Sequence, residues 1–212
     1  MTMTKLVPER RRTQAERREE TRSRILEAAV SELLNKGYAG FRVEQVAATA
    51  QVSRGAQTHH FPTKEDLVMA ALQKLYEAST EASMKLIEGL KPGDDLLDAL
   101  MRDSSKFYLG PNFIISMSLL NLGDHEPGLR QKVRAVSRKY RLPIEKAWLD
   151  ALLRSGLAEE PARTVLNITQ SIYRGMVMRR FLRNDPEYTR FTVDQWSKIA
   201  RAYMDQSSAS SS

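Results

Sequence analysis

The segment from Arg42 to Phe61, RVEQVAATAQVSRGAQTHHF, constrains this chain more than any other. Val43, Val46, Ala47 and Ala50 recur at i, i+3, i+4 and i+7, the spacing of one helix face. That run stops at Ala50-Gln51-Val52. Ser53 starts a second helix, because its hydroxyl can accept from a backbone N–H that a helix start leaves unpaired. Pro62 ends it, since proline lacks the amide proton and clashes with the preceding turn. Phe41 then packs into a small three-helix core with the helix before it.

The second short helix carries the chemistry. Gly55 and Ala56 are small enough to let it lie close to a phosphate backbone. Gln57, Thr58, His59 and His60 offer hydrogen-bonding groups from a single turn. A helix-turn-helix sets the start of its second helix against base edges while the first crosses the backbone. Charge agrees with double-stranded DNA as the partner. Residues 1–64 hold twelve Lys or Arg against seven Asp or Glu, which is five of the chain's net +7. A basic patch beside such a motif is the electrostatic footprint of DNA binding. Residues 1–12 alone read equally well as a solvated tail or as an arm that orders on DNA.

The rest of the chain reads as helices, with no strand pattern and no internal repeat. A helix from Thr13 to Lys36 presents Ile25, Leu26, Ala29, Val30, Leu33 and Leu34 to the core, and Gly37 stops it. Thr63 caps a long helix reaching about Leu90, with Asp66 in its first turn. Lys91-Pro92-Gly93-Asp94 breaks the pattern. Helices follow over Asp95 to Tyr108, Phe113 to Leu122, and Glu126 to Ser155, where Pro143 is expected to kink or split the last. Two more run from Ala162 to Leu182 and from Thr192 to Met204. The serine-rich end, from Gln206, is expected to be disordered. The fold class is all-α: a basic arm over 1–20, a helix-turn-helix domain over 21–66, a helical domain over 67–206 and a tail over 207–212.

The quoted segment and its flanks resemble the DNA-binding domain of the tetracycline-repressor (TetR) family of bacterial transcription regulators. The resemblance rests on ILEAAVSELLNKGY (Ile25 to Tyr38), VEQVA, and VSRGAQTHHFPTKEDL (Val52 to Leu67). These match a helix ending in Gly-aromatic, a Val-x-x-Ile/Val-Ala helix, Val-Ser-x-Gly, and His-x-Phe-x-x-Lys. Three departures stand out. Gln51 replaces a common Gly, so either the turn differs or Gln51 carries strain at positive φ. Arg42 replaces a common Thr or Ser cap. Gln57-Thr58 stands where Leu-Tyr is frequent, which points to a different operator.

The expected DNA contacts follow. Gln57 and Thr58 are candidates for base edges, and Arg54 for a base or a phosphate. Ser53, His59, His60 and Lys64 are candidates for phosphate, joined by Arg42 if its helix docks, with Gly55 permitting the approach. His59 has an alternative role in helix packing. The resemblance further implies a homodimer through the last two long helices, reading a palindromic operator. The candidate stripes are Val165, Ile168, Thr169, Ile172, Met176 and Phe181 on one helix, and Trp196, Ile199, Ala200 and Tyr203 on the other. It also implies a small-molecule effector. Met101, Phe107, Tyr108, Phe113, Met117, Trp148, Tyr173 and Met176 are soft or aromatic residues suited to an adaptable, mainly apolar pocket, and equally to an ordinary core.

Other classes find little support. No H-E-x-x-H, G-x-S-x-G or phosphate-cradling Gly-rich loop appears. His59 and His60 are adjacent on a helix and point about 100° apart, a poor chelating pair. Asp124-His125-Glu126 reads better as a polar interhelix loop than as a metal cluster. No enzyme activity, cofactor or metal is expected. The chain has no Cys, which fits a reducing cytoplasm. It shows no apolar leader, and its longest apolar stretch is far short of a membrane span.

Overall fold

The computed structural model describes residues 13–122 and 127–209. Residues 1–12, which carry most of the expected basic arm, and Asp124-His125-Glu126 fall outside them. The described residues form helices joined by short turns, in two compact units that meet between Ala71 and Leu72. Among the described residues no helix is long and apolar enough to cross a membrane.

Unit 1 contains α1 (Gln14–Gly40), α2 (Val43–Thr49), α3 (Arg54–His60) and the start of α4 (Lys64–Glu88). Thr13 caps α1 through a reciprocal pair of bonds with Glu16, a device worth about 1 kcal/mol. Gly37 adopts φ 60 and kinks the helix there, and Tyr38 to Gly40 form a last helical turn beyond the kink. The expected stop is therefore a bend. Ile25, Leu26, Ala29 and Leu33 are buried as expected, but Leu34 is 41% exposed. It stands one step around the helix from Leu33, at the margin of the apolar stripe. Phe41, Val46, Ala47, Ala50 and Phe61 complete the three-helix core.

The turn between α2 and α3 shows how the chain manages without glycine. Gln51 sits at φ 54, a left-handed conformation that costs a side-chain-bearing residue about 1 kcal/mol. Two backbone bonds hold it: Gln51 N–H to Ala48 at 3.1 Å and Val52 N–H to Ala47 at 3.0 Å. That is the pairing of a left-handed helix cap, so Gln51 takes the strain and the turn is kept.

Unit 2 holds the rest of α4 with α5 (Leu96–Tyr108), α6 (Pro111–Leu122), α7 (Pro127–Arg154), α8 (Glu159–Leu182) and α9 (Pro186–Ala209). Helix α5 packs on α6, α7, α8 and α9, and its face of Leu97, Leu100, Met101, Ser104, Phe107 and Tyr108 is buried. Asp95 caps it, accepting from Asp98 N–H at 2.9 Å. Several helix bounds differ from expectation. Helix α7 runs unbroken through Pro143, because Tyr140, Ile144 and Trp148 bury on both sides of the missing bond. Helices α8 and α9 begin earlier, with Pro161 and Pro186 in first turns that need no amide donor. Helix α9 also continues to Ala209, through residues where the serine content predicts a disordered tail.

Candidate nucleic-acid interface and effector core

Helix α3 is the natural reading element of unit 1. Ser53 caps it, its Oγ accepting from Ala56 N–H at 3.1 Å. Ser53, Arg54, Gly55, Thr58 and His59 are exposed, and Ala56 and His60 are half-buried. The Thr58 hydroxyl donates to the Arg54 carbonyl at 2.9 Å, which leaves its oxygen lone pairs outward. Gly55 is open: a Cβ added there would meet only Ser53 Oγ, at 4.0 Å. Glycine inside a helix costs roughly 0.5–1 kcal/mol relative to Ala. Nothing among the described residues requires it at this position.

Three of the expected contacts are placed differently. Gln57 is 1% exposed, and its Oε1 is buried with no hydrogen-bond partner among the described residues. It lies four residues before buried Phe61, on the core side of a seven-residue helix, and cannot touch a base in this conformation. Lys64 is half-buried. Its ammonium donates to the Tyr38 carbonyl at 3.2 Å and lies over the Tyr38 ring at 4.5 Å, tying α4 to the end of α1. Arg42 donates to the Ala39 carbonyl at 3.3 Å and makes no side-chain cap for α2, yet stays exposed.

His60 is held below the ordinary histidine value, first by burial and then by the charges of His59, Arg18 and Arg22, with Glu19 opposing. Arg22 also lies 5.6 Å over the Phe61 ring. Of the five excess positive charges in residues 1–64, three belong to residues 1–12. The described part of unit 1 therefore brings positive charge through particular side chains, Arg54 and Arg42 among them, more than through bulk excess.

A model of the bacterial regulatory proteins of the tetR family matches residues 25–71, the stretch from the core face of α1 to the boundary of unit 1. Over 192 residues the chain is 38% identical to the HTH-type transcriptional regulator CymR of Pseudomonas putida, covering 91% of this chain and 95% of that one. This chain belongs to the TetR family. Its fold recurs in solved structures. A TetR-family transcriptional regulator from Cytophaga hutchinsonii superposes with a TM-score of 0.66 at 13% identity, over 91% of this chain and 98% of that one. The multidrug binding protein EbrR complexed with imidazole gives 0.54 at 25% identity, over 82% and 93%. The chain is thus a helix-turn-helix transcriptional regulator, with an N-terminal DNA-binding domain followed by a helical one.

In a TetR-family chain the second domain is where an effector is sought. Of the eight expected residues there, Met101, Phe107, Tyr108, Trp148, Tyr173 and Met176 are buried, and Phe113 and Met117 are half-buried. Phe107, Tyr108 and Phe113 form one aromatic cluster with centroids 5.0 to 6.2 Å apart, Tyr108 meeting both phenylalanines edge to face, and Tyr76 joins it through Phe107. Phe107 borders a cavity of about 200 Å³, together with Ser83, Asp103 and Lys106. A larger cleft of about 550 Å³, between the ends of α4 and α7, is lined by Ile87, Leu90, Leu96 and Ala151 and by none of the eight.

The sequence reading missed Asp103, Arg141 and Gln170, polar residues buried inside this core. Asp103 is buried; it accepts from Ser83 Oγ at 2.6 Å and from Trp148 Nε1 at 2.8 Å. Tyr108 donates to Gln170 Oε1 at 3.2 Å, and burial pushes its phenol up. Burial and the charge of Asp98 push the Tyr173 phenol up to about 12. Arg141 is buried as well, with Nε unpartnered among the described residues. A signal was present: Asp103 follows Ala99 and precedes Phe107 on the apolar face of α5, and Arg141 precedes Ile144 and Trp148 on that of α7.

Proposed function

We propose that this chain acts in the cytoplasm as a homodimeric repressor, reading a palindromic operator with α3 and releasing it when a small, mainly apolar effector binds unit 2. The observation that carries the DNA-contact reading is Gly55. A residue that weakens its own helix, with open space before it, is accounted for by a surface that comes close from outside. Phosphate beside Ser53, Arg54 and His59 supplies such a surface, and Arg54 and Thr58 are then the side chains placed to reach base edges. The family's DNA-binding role supports this assignment.

Dimerisation takes its support from the outer faces of α8 and α9. Ile168, Met178 and Leu182 are exposed on α8, and Phe191 and Ile199 on α9. This is not quite the expected stripe. Val165, Thr169 and Met176 turn inward, as do Trp196 and Ala200, with Trp196 Nε1 donating to Thr169 Oγ1 at 2.9 Å. The Phe181 side chain lies outside the described residues. Apolar side chains at this density on two adjacent helices suit a second copy of the chain.

For release, the effector must prefer the DNA-free arrangement; its preference factor equals the factor by which it lowers DNA affinity. The EbrR complex with imidazole supports a ligand site in this fold. A ligand-independent regulator is a second reading, favoured by the close packing of Met101, Tyr108, Trp148, Tyr173 and Met176. Selection of bound duplex from a random pool tests the main proposal. It should return a palindrome with half-sites about 34 Å apart or a multiple of that. No enrichment, or an asymmetric site, would refute the paired reading heads.

A further inference from the structure

We infer that the first half of α7 is a second DNA-contacting surface, which holds the phosphate backbone of the bound duplex without regard to sequence; this rests on the DNA-binding role above and extends it beyond unit 1. Residues 127–144 contain Arg130, Lys132, Arg134, Arg138, Lys139 and Arg141 and no Asp or Glu. Those six unopposed charges compare with a net +7 for the whole chain. Together with the excess in residues 1–64, they leave the remaining residues net negative. Arg141 is buried and Arg130 half-buried, while Lys132, Arg134, Arg138 and Lys139 are exposed.

A solvated helix face ordinarily carries both signs, paired three or four residues apart. Other exposed cations of unit 2 follow that habit. Arg102 pairs with Asp98 at 2.7 Å and Arg163 with Glu159 at 2.7 Å. Past Pro143, in α7 itself, Lys146 pairs with Asp150 at 2.7 Å. Lys132, Arg134, Arg138 and Lys139 have no acid three or four residues away on either side. Arg134 and Arg138 stand one turn apart as like charges, an arrangement that weakens a helix. Packing does not ask for them either, since the buried face of α7 is Leu129, Val133, Tyr140, Ile144 and Trp148. An anionic surface that arrives from outside accounts for the set.

The side chains indicate which anionic surface. From Lys132 to Lys139 the helix rises about 10 Å, over which one DNA strand presents about three phosphates. Duplex offers that spacing along its whole length, and this chain already binds duplex. Phosphate contacts position a protein and leave sequence to the base contacts, so α7 need bring only charge. A helix that lies on a membrane needs several large apolar side chains on its outward face beside the cations. In this half of α7 the large apolar side chain facing outward is Leu142, 57% exposed, and one such residue does not make that face.

The test compares the full chain with a triple variant, Arg134→Gln, Arg138→Gln and Lys139→Gln. A control makes the same charge change at exposed residues elsewhere in unit 2: Lys85→Gln, Lys91→Gln and Arg154→Gln. Affinity for the operator selected above, flanked by about one helical turn of DNA on each side, is read by fluorescence anisotropy. Between about 50 and 200 mM salt the unaltered chain should lose about 40-fold more affinity than the triple variant, the effect of three phosphate contacts. The control should behave as the unaltered chain. A difference below about threefold, less than one contact is worth, overturns the inference, and so does an equal change in the control. Arg138→Gln alone should account for about 3.5-fold, which decides if the triple variant fails to fold. A triple variant that keeps duplex binding but loses binding to polyglutamate or to phosphatidylglycerol vesicles would assign the face to an acidic protein or a lipid surface instead. If selection returns no palindrome while the same salt difference appears on random duplex, the paired reading heads fall and this inference stands.

Discussion

Gln57→Met separates what the sequence suggests from what the structure shows. The substitution keeps the length and approximate volume of the side chain and removes the amide. In the structure that amide is buried, and its Oε1 has no partner. An unpaired buried acceptor costs about 1–3 kcal/mol, and Met and Gln have similar helix propensity. Allowing for imperfect packing of the sulfur, unit 1 should gain about 1 kcal/mol, taking the lower end of that range. A single melting curve would mix the two units, so native-state hydrogen exchange of the α1–α3 amides is the right assay. Those amides should exchange about fivefold more slowly. DNA selection with the same variant should return the same site. A glutamine reading adenine would instead show a loss of about 1–3 kcal/mol at one base pair. Faster exchange together with a lost base preference would refute the reasoning, and would mean that Gln57 leaves the core when DNA is bound.

Gly55→Ala should stabilise α3 by about 0.4–1 kcal/mol, since its backbone is helical and its Cβ position open, yet weaken operator binding in fluorescence anisotropy; unchanged affinity would remove Gly55 from the interface. Lys64→Ala should cost unit 1 about 1 kcal/mol through the lost bond to Tyr38, while lowering the salt slope of DNA binding by less than about one unit. A full unit with no loss of stability would restore its expected phosphate role. His60 is held below 6.5 in the fold, so the unfolded chain takes up a proton first as pH falls. Its contribution to unit 1 is complete above 6.5 and is lost as pH drops towards the folded value. Hydrogen exchange either side of pH 6.5 should show that loss, and His60→Gln should flatten it.

Unit 1 was legible because short helices with caps and breakers declare themselves. Ser53 and Thr63 each cap a helix as their hydroxyls suggest, and Gln51 takes the positive φ that a missing glycine imposes. Placing Gln57 on the surface came from weighing residue type above position. Four residues separate it from Phe61, so the helical period already placed it on the core side, and only its polarity argued for the surface. The same error, reversed, moved the dimer stripe. Helices α8 and α9 are apolar on two sides, and their inner and outer faces cannot be told apart by periodicity alone. Val165 and Thr169 take the inner one, Ile168 and Leu182 the outer.

Unit 2 is harder to read for a reason that also makes it informative. Its Met and aromatic residues pack as any core does, and their type alone does not distinguish a pocket from a wall. What distinguishes this core is a charge on each of two apolar faces, Asp103 on α5 and Arg141 on α7. Two opposite charges in one core would ordinarily pair. Here Asp103 spends its oxygens on Ser83 and Trp148, and Arg141 turns to rings that can satisfy its face but not its edge. Pairing the two would leave Trp148 Nε1 and Ser83 Oγ without that acceptor inside the core. A stability argument alone would replace both charges with apolar side chains.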